Sequence, residues 1–238
     1  FRHGHGNVGE NPELRMLYYR CSHLARYAVI PLFVFDGPGR PEQKREHIVQ
    51  SNKRHWMELG LKMLLSGLGF DYVDAPGEAE AELSWRNSIG NIDAVISEDS
   101  DVLPFGAKVV LRMYVLYLSF SELLRNSQGN AISRGGLFLM ALLCGGDYDT
   151  RGVSGCGFQT ASELASLSFG DALLSAACSK TPDELALFIV GWRAEFLHEL
   201  SSNSSGMLSC RRRALAASVP GLWPSVDVIL AYARPKTS

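Results

Sequence analysis

Residues Ser97–Gly106 read SEDSDVLPFG, with carboxylates at Glu98, Asp99 and Asp101 placed directly before residues of core type. Other acids take similar positions: Asp36 closes the apolar run Ile30–Phe35, Glu78 and Glu80 open APGEAEAELSW, and Asp147 follows LLCGG. Carboxylates brought to one place repel one another unless cations neutralise them. Oxygen donors suit hard divalent ions, Mg²⁺ or Mn²⁺. The set Asp36, Glu78, Glu80, Asp99, Asp101 and Asp147 is therefore a candidate metal centre. Each piece alone has a plainer reading: Asp36 as a turn residue, Glu78 and Glu80 as a solvated helix face, Asp99 and Asp101 as a turn or helix cap. Residues two apart on a helix point roughly opposite ways, so Glu78 and Glu80 reach one site only from a frayed first turn.

The elements that must position these acids alternate along the chain. Asn11-Pro12-Glu13 is a helix start with Asn as cap and Pro at the first helical position, and Leu14, Leu17, Tyr18, Cys21 and Leu24 follow at helical spacing to face a core. Ile30–Phe35 reads as a buried parallel strand stopped by Asp36-Gly37-Pro38. From Pro41 to about Ser66 the pattern predicts a helix, basic in its first half, apolar in its second, and closed at Gly67 and Gly69. FDYVD predicts a strand, the stretch from Ala75 a turn into a helix, Ile92–Ser97 a strand that delivers the acids, VVLRMYVLYL another strand, and Gly135–Cys144 an apolar helix. Strand and helix in alternation predict an α/β fold with a mainly parallel sheet, whose site lies outside the carboxyl ends of its strands. That is where the acids recur.

Composition sets the outer bounds. The chain has 238 residues, 46% of them hydrophobic, enough to bury a sizeable core. No apolar run reaches the roughly 18 to 20 residues of a membrane span, and no membrane role is expected. Five cysteines are scattered with no CxxC or zinc spacing, so reduced thiols are expected. With 23 Lys plus Arg against 25 Asp plus Glu, the net charge of −2 gives no global basic footprint, and any nucleic-acid contact must be local. Local basic groups exist at Lys44-Arg45, Lys53-Arg54-His55 and Arg211-Arg212-Arg213. Taken singly, each reads more simply as a solvated face.

FVFDG, APGEAEAE, ISEDSDVLPFG and LLCGGDY followed by RGVSGCG resemble, in order, the consecutive motifs of the flap endonuclease and XPG superfamily of structure-specific nucleases, from near the first residue to about residue 170. ENPELR, LFVFDGPGRP and FIVGWR are similar to fungal members of its Holliday-junction-resolvase branch. The resemblance implies a PIN-like three-layer domain over residues 1–170, with an acidic metal centre, a short arch over 37–69 and a helix-two-turn-helix over 151–168, and a helical extension over 171–238 packed on it. It implies a two-metal endodeoxyribonuclease that cuts flapped or branched DNA in repair and recombination, acts in the nucleus and leaves 5′-phosphate ends. Asp36, Glu78 and Glu80 would hold one ion and Asp99, Asp101 and Asp147 the second, the ions working about 3.5 to 4 Å apart. Arch bases match Lys44 or Arg45 as catalytic residues, and Lys53 or Arg54 loosely as DNA contacts. Gly152, Gly155 and Gly157 match the duplex-binding turn, where relatives hold K⁺. A dimer on four-way junctions is left open.

Two departures carry expectations. The family has a further metal-binding Asp on a first strand, no Asp precedes Asp36 here, and Phe1 is expected to begin just after that strand. The short Asp36 to Glu78 connection favours an open cap admitting branched duplexes over threading of a free end. Two other readings stand beside the nuclease: a branched-DNA-binding protein of the same fold that does not cut, and a metal-dependent transferase using Asp99 and Asp101 as a DxD clip. Beyond residue 170, Thr181-Pro182-Asp183-Glu184 is a capping box that opens a packing helix through about Leu200, SSNSSG is a turn, Arg211–Arg213 could touch phosphate, and DVILAYA is a last helix.

Overall fold

The computed structural model describes residues 11–40, 43–44, 47–48, 56–112, 115–119 and 132–238, with side chains described for 11–40, 56–112 and 132–238. Helix α1 (Pro12–Leu24) leads to β1 (Leu32–Phe35), then to the two-residue strands β2 (Gln43–Lys44) and β3 (His47–Ile48). Helix α2 (Met57–Leu68), β4 (Asp71–Asp74), α3 (Ala79–Ser88) and β5 (Val95–Ile96) follow, then β6 (Val109–Arg112) and β7 (Val115–Ser119). The rest is helical: α4 (Arg134–Cys144), α5 (Phe158–Ala165), α6 (Phe169–Ser179), α7 (Pro182–Ser202), α8 (Arg213–Ser218) and α9 (Val226–Ala233).

The expected parallel pairing is present. β1 lies parallel to β4 with Phe35 opposite Asp74, and β5 lies parallel to β6. These described strands form separate ladders, β1–β4 and β5–β6–β7, with β2–β3 a small antiparallel pair. β1 is shorter than the run Ile30–Phe35 predicts, because Pro31 has no N–H to donate and Ile30 is 95% exposed. β5 is shorter than Ile92–Ser97 because the Asn87 amide takes the carbonyls of Ile92 and Asp93, while its own oxygen accepts from Lys108 and Val109 N–H. The loop is bonded to a side chain instead of to a strand.

Two predicted elements are corrected. VVLRMYVLYL is not one strand but the antiparallel pair β6–β7, since ten residues exceed the usual strand of about five or six and no Gly or Pro marks the reversal. The helix expected from Pro41 begins only at Met57, and β2 and β3 pair antiparallel where its basic first half was expected. Gln43, Lys44 and His47 offer no apolar stripe to bury, so packing does not hold them helical. The close of α2 follows the sequence: Gly69 is left-handed at φ 75° and its N–H bonds Ser66 O. Asn11 precedes α1 as expected but makes no side-chain cap bond, and of the residues expected to face a core only Cys21 is buried.

The main core lies among the helices. Phe138, Leu139, Leu164, Leu173, Leu185, Phe196, Leu200 and Ile229 join one cluster that reaches Phe105 and Ala81. Trp192 stacks on Phe196 at 5.1 Å between ring centroids, and Trp223 closes on both. Tyr232 of α9 packs edge-on against Tyr148 at 4.6 Å and against Phe138, which ties the last helix to the loop carrying Asp147. A smaller core of Val95, Val102, Ala107 and Val110 supports the loop that carries Asp99 and Asp101.

Candidate metal and DNA site

Asp36 follows β1 directly, and its carboxylate reaches the start of α3: Oδ1 accepts from Ala79 N–H at 2.9 Å, while Oδ2 meets the Arg40 guanidinium at 3.4 Å. The loops are laced by backbone bonds, Gly37 N–H to Gly77 O at 2.7 Å and Gly39 N–H to Pro76 O at 3.0 Å. A Cβ on Gly37 would stand 1.6 Å from Ala75 O, so only glycine permits this approach. Glu78 is extended at the N-cap (φ −81°, ψ 140°), and α3 begins one residue later. Glu78 and Glu80 are therefore not held on opposite helical faces.

Glu78 is buried and accepts a hydrogen bond from the Tyr148 hydroxyl. Burial first, then the charges of Glu78 and Asp101, push the Tyr148 phenol far above its ordinary value and keep it a donor. Tyr148 thus links the start of α3, the Asp101 loop and buried Asp147, its own neighbour. In the acidic loop, Ser97 Oγ accepts from Asp99 N–H at 3.0 Å and Asp99 Oδ1 from Asp101 N–H at 2.9 Å, a pair of local turns that brings Asp99 and Asp101 out after β5. Ser84 joins the Glu80 turn to this loop by donating to Glu80 O at 2.6 Å or Val102 O at 2.9 Å.

The donor set is all carboxylate, which fits a hard divalent ion. Among the described residues, however, no three His, Cys, Asp or Glu side chains are arranged so that they could hold one. Asp36 is engaged with α3 and Arg40, and Glu78 with Tyr148, so an ion would have to compete with these partners. Lys44 lies in β2, with its side chain outside the described residues, as Arg45, Lys53 and Arg54 are altogether.

Sequence reasoning missed Lys62. Its ammonium lies 2.5 Å from Asp74 Oδ1 and 2.7 Å from Glu58 Oε1, and 4.6 Å from the centre of the Phe35 ring. Burial lowers its proton affinity, but the hydrogen bonds and charges of Asp74 and Glu58 carry it above its ordinary value. Lys62 thereby neutralises the acid at the end of β4, beside Asp36. The i,i+4 spacing of Glu58 and Lys62 was the available signal.

Between α4 and α5, the chain turns through Gly145, Gly152 and Gly155, all at positive φ. Gly152 is buried, and a Cβ there would stand 2.4 Å from Leu143 O, so its place is packing between turns. Gly155 and Gly157 are exposed, and a Cβ on Gly157 would meet nothing within 4 Å. Burial pushes the Cys156 thiol up to about 11, as expected of a packed, unreactive cysteine. Behind the turn, Ser218 Oγ donates to Ser154 O at 3.1 Å, and buried Glu163 of α5 accepts from Ser209 and faces Arg212 at 3.9 Å. Arg211 and Arg213 remain exposed next to it.

Known proteins are similar to this chain in sequence and fold. The XPG I-region family matches residues 69–147. Flap endonuclease 1 of Methanocaldococcus jannaschii is 29% identical over 181 residues, covering 62% of this chain and 56% of that protein. The human flap endonuclease GEN homolog 1 is 26% identical over 204 residues, 73% of this chain and 22% of its own. Among solved structures, the Holliday junction-resolving enzyme GEN1 in complex with product DNA and Mg²⁺ superposes with a TM-score of 0.76 at 32% identity, over 100% of this chain and 54% of that one. The catalytic core of Rad2 in complex with DNA substrate gives 0.65 at 26% identity, over 98% and 73%. These likenesses agree with the PIN-like α/β fold. The chain spans about half the length of the archaeal relative and of the GEN1 structure. No described helix is long and apolar enough to cross a membrane.

Proposed function

From a chain whose residues 69–147 belong to the XPG I-region family, we propose a structure-specific DNA endonuclease that hydrolyses phosphodiester bonds in flapped or four-way branched DNA. The observation that carries this reading is the approach of three acid-bearing loops: Asp36 bonded to the start of α3, Glu78 bonded to Tyr148, and Tyr148 packed edge-on against Phe105, four residues after Asp101.

Asp36, Glu78 and Glu80, with Asp99, Asp101 and Asp147, are the groups to hold two Mg²⁺ or Mn²⁺ ions. When bound, such ions lower the pKa of an attacking water and stabilise the oxygens of the displaced phosphodiester. The chain's own contribution is placement. Ala79 N–H orients Asp36, and the Tyr148 hydroxyl, donating to Glu78, fixes that carboxylate. A 5′-phosphate and a 3′-hydroxyl are the products of this reading.

Lys44 and Arg45 are assigned to the strand being cut, Lys53 and Arg54 to further backbone contacts. The exposed Gly155-Cys156-Gly157 turn lets duplex phosphate approach closely and is where K⁺ would bridge backbone and DNA. Gly152 supports that turn from beneath. Nuclear action in repair or recombination, and pairing of two copies on a four-way junction, belong to the same proposal.

The test is cleavage of end-labelled flap, splayed and four-way DNA by the full-length protein with and without Mg²⁺, with end analysis of the products. Metal-dependent incision near the branch, leaving 5′-phosphate, supports the reading. Tight branched-DNA binding with no incision at any metal concentration assigns the chain to the non-cutting alternative.

A further inference from the structure

The segment after α9 returns to the acidic loops. Its path is fixed at three points. A Cβ on Gly77 would stand 2.9 Å from Lys236 O, and one on Gly39 would stand 2.9 Å from Lys236 Cδ, so the segment lies against two bare glycine backbones. Further on, Ser238 N–H donates at 2.8 Å to Oε2 of Glu82, a wholly buried carboxylate of α3 that also takes Arg86 at 2.7 Å. The glycines belong to the same two loops that carry Asp36 and Glu78.

Together these parts line a cleft of about 400 Å³ with Glu78, Tyr148, Arg40, Arg234 and Lys236. Lys236 is exposed and forms no ion pair with a described acid, although Glu78 lines the same cleft. Arg234, by contrast, spends a guanidinium N–H on Lys180 O. A cleft lined by one acid, Glu78, and by three basic side chains, of which Lys236 pairs with no described acid, is suited to a phosphodiester. A carboxylate repels DNA, and a nearby cation offsets that repulsion.

We propose that Lys236, held by its stem over Gly39, is a phosphate-positioning residue that takes a DNA backbone phosphate flanking the one cleaved. The inference rests on the nuclease reading for the identity of the reacting strand, but its binding arm does not. The seat is specific to this geometry: the lysine stem lies over one glycine, the backbone follows the second, and Ser238 is bonded to α3.

The test uses the full-length protein as wild type, Lys236→Met and Lys236→Arg, with a labelled flap duplex in Ca²⁺ to read binding and in Mg²⁺ to read cleavage. Met keeps the apolar stem and removes the charge. We expect Lys236→Met to bind several-fold more weakly, with the slope of log K against log salt smaller by about 0.9, the value of one lost phosphate contact. KM should rise with kcat nearly unchanged, Lys236→Arg should restore both, and the thermal midpoint should not move. Wild-type affinity and salt slope in Lys236→Met overturn the proposal, as does a loss of binding that tracks a lowered thermal midpoint. If the wild type binds but never cuts, the nuclease reading fails while the binding slope still decides the role of Lys236.

Discussion

In the helical layers Phe138, Leu139, Leu173, Leu185, Phe196 and Ile229 are wholly buried, whereas every residue of β1 stays partly exposed and β4 shows three of four residues to solvent. The polar groups differ in the same sense. Buried Glu199 of α7 is satisfied by Ser204 and Ser205 from its own loop, although buried Glu163 takes Ser209 from a distant one. Around the acidic loops, carboxylates lean on groups from distant segments: Asp36 on α3, Glu78 on Tyr148, Asp74 on Lys62, Glu82 on Ser238. One region is held by apolar packing, the other by charges kept apart from one another by borrowed partners. If the first sets stability and the second, as proposed, the chemistry, mutations should separate the two properties.

The largest effect is expected in the acidic region. Asp101→Asn should reduce cleavage of branched DNA to background in a gel assay, while DNA affinity is retained or improved, because one negative charge facing phosphate is gone. Its thermal midpoint should be unchanged or higher, since like charges are relieved. Asp99→Ala should also abolish cleavage, with a slightly lower thermal midpoint because the bond from Asp101 N–H is lost. Wild-type turnover by either variant would falsify the assignment of these acids to metal. The converse experiment lies in the helices. Phe196 is 0% exposed and sits between Trp192 and Trp223, so Phe196→Ala should cost about 3–5 kcal/mol in urea unfolding. The protein that remains folded should cut at the normal rate; a slowed rate would link the aromatic cluster to the site.

How much of this was legible in the sequence follows the same division. Strand-end acids can be read because a β-run ending in Asp-Gly-Pro or Ser-Glu-Asp is a local pattern, and the capping box at Thr181 is local too. The helix through Pro41 could not be placed correctly, because its outcome depends on partners the basic stretch lacks in its own window. The shortening of β5 depends on the Asn87 amide, which binds residues on both sides of the loop, 5 and 22 positions away. Lys62 was readable as a helix pair with Glu58 but not as the partner of Asp74, and nothing local announces that Lys236 lies beside Gly39 and Gly77. Contacts between distant segments fall outside any sequence window, and the acidic site is made of them.

A smaller effect is expected at the Gly155 turn, proposed above to meet duplex phosphate. Gly155 has φ 83° and the nearest side-chain atom, Leu215 Cδ1, is 4.0 Å from a Cβ there. Space is available but the backbone is left-handed, which costs an L-residue roughly 1–2 kcal/mol. Gly155→Val should therefore destabilise modestly, and should weaken every duplex-containing DNA several-fold without altering sequence preference, since backbone contacts carry no base information. A changed sequence preference in a binding screen would count against phosphate contact at this turn.

The smallest effect tests whether the helical region can be altered with no consequence for DNA at all. Thr181 and Glu184 form a reciprocal cap on α7: Thr181 Oγ1 accepts from Glu184 N–H at 3.4 Å, and Glu184 Oε2 accepts from Thr181 N–H at 2.8 Å. Both residues are exposed and far in sequence from the acids. Thr181→Ala removes the side-chain half of the cap and should cost about 1 kcal/mol, read from urea unfolding at neutral pH. The backbone bond from Thr181 first, and its hydroxyl second, hold the Glu184 carboxyl below its ordinary value. A depressed folded-state pKa contributes stability that is present above the unfolded value of about 4.3 and is lost as pH falls through the folded one. The gap between wild type and Thr181→Ala should accordingly narrow as the pH is lowered below about 4.3, because protonated Glu184 no longer favours the cap. Binding and cleavage of branched DNA at neutral pH should match wild type. A gap that stays constant with pH would assign the loss to packing of the Thr181 methyl, and a change in DNA affinity would mean that the cap of α7 and DNA binding are coupled.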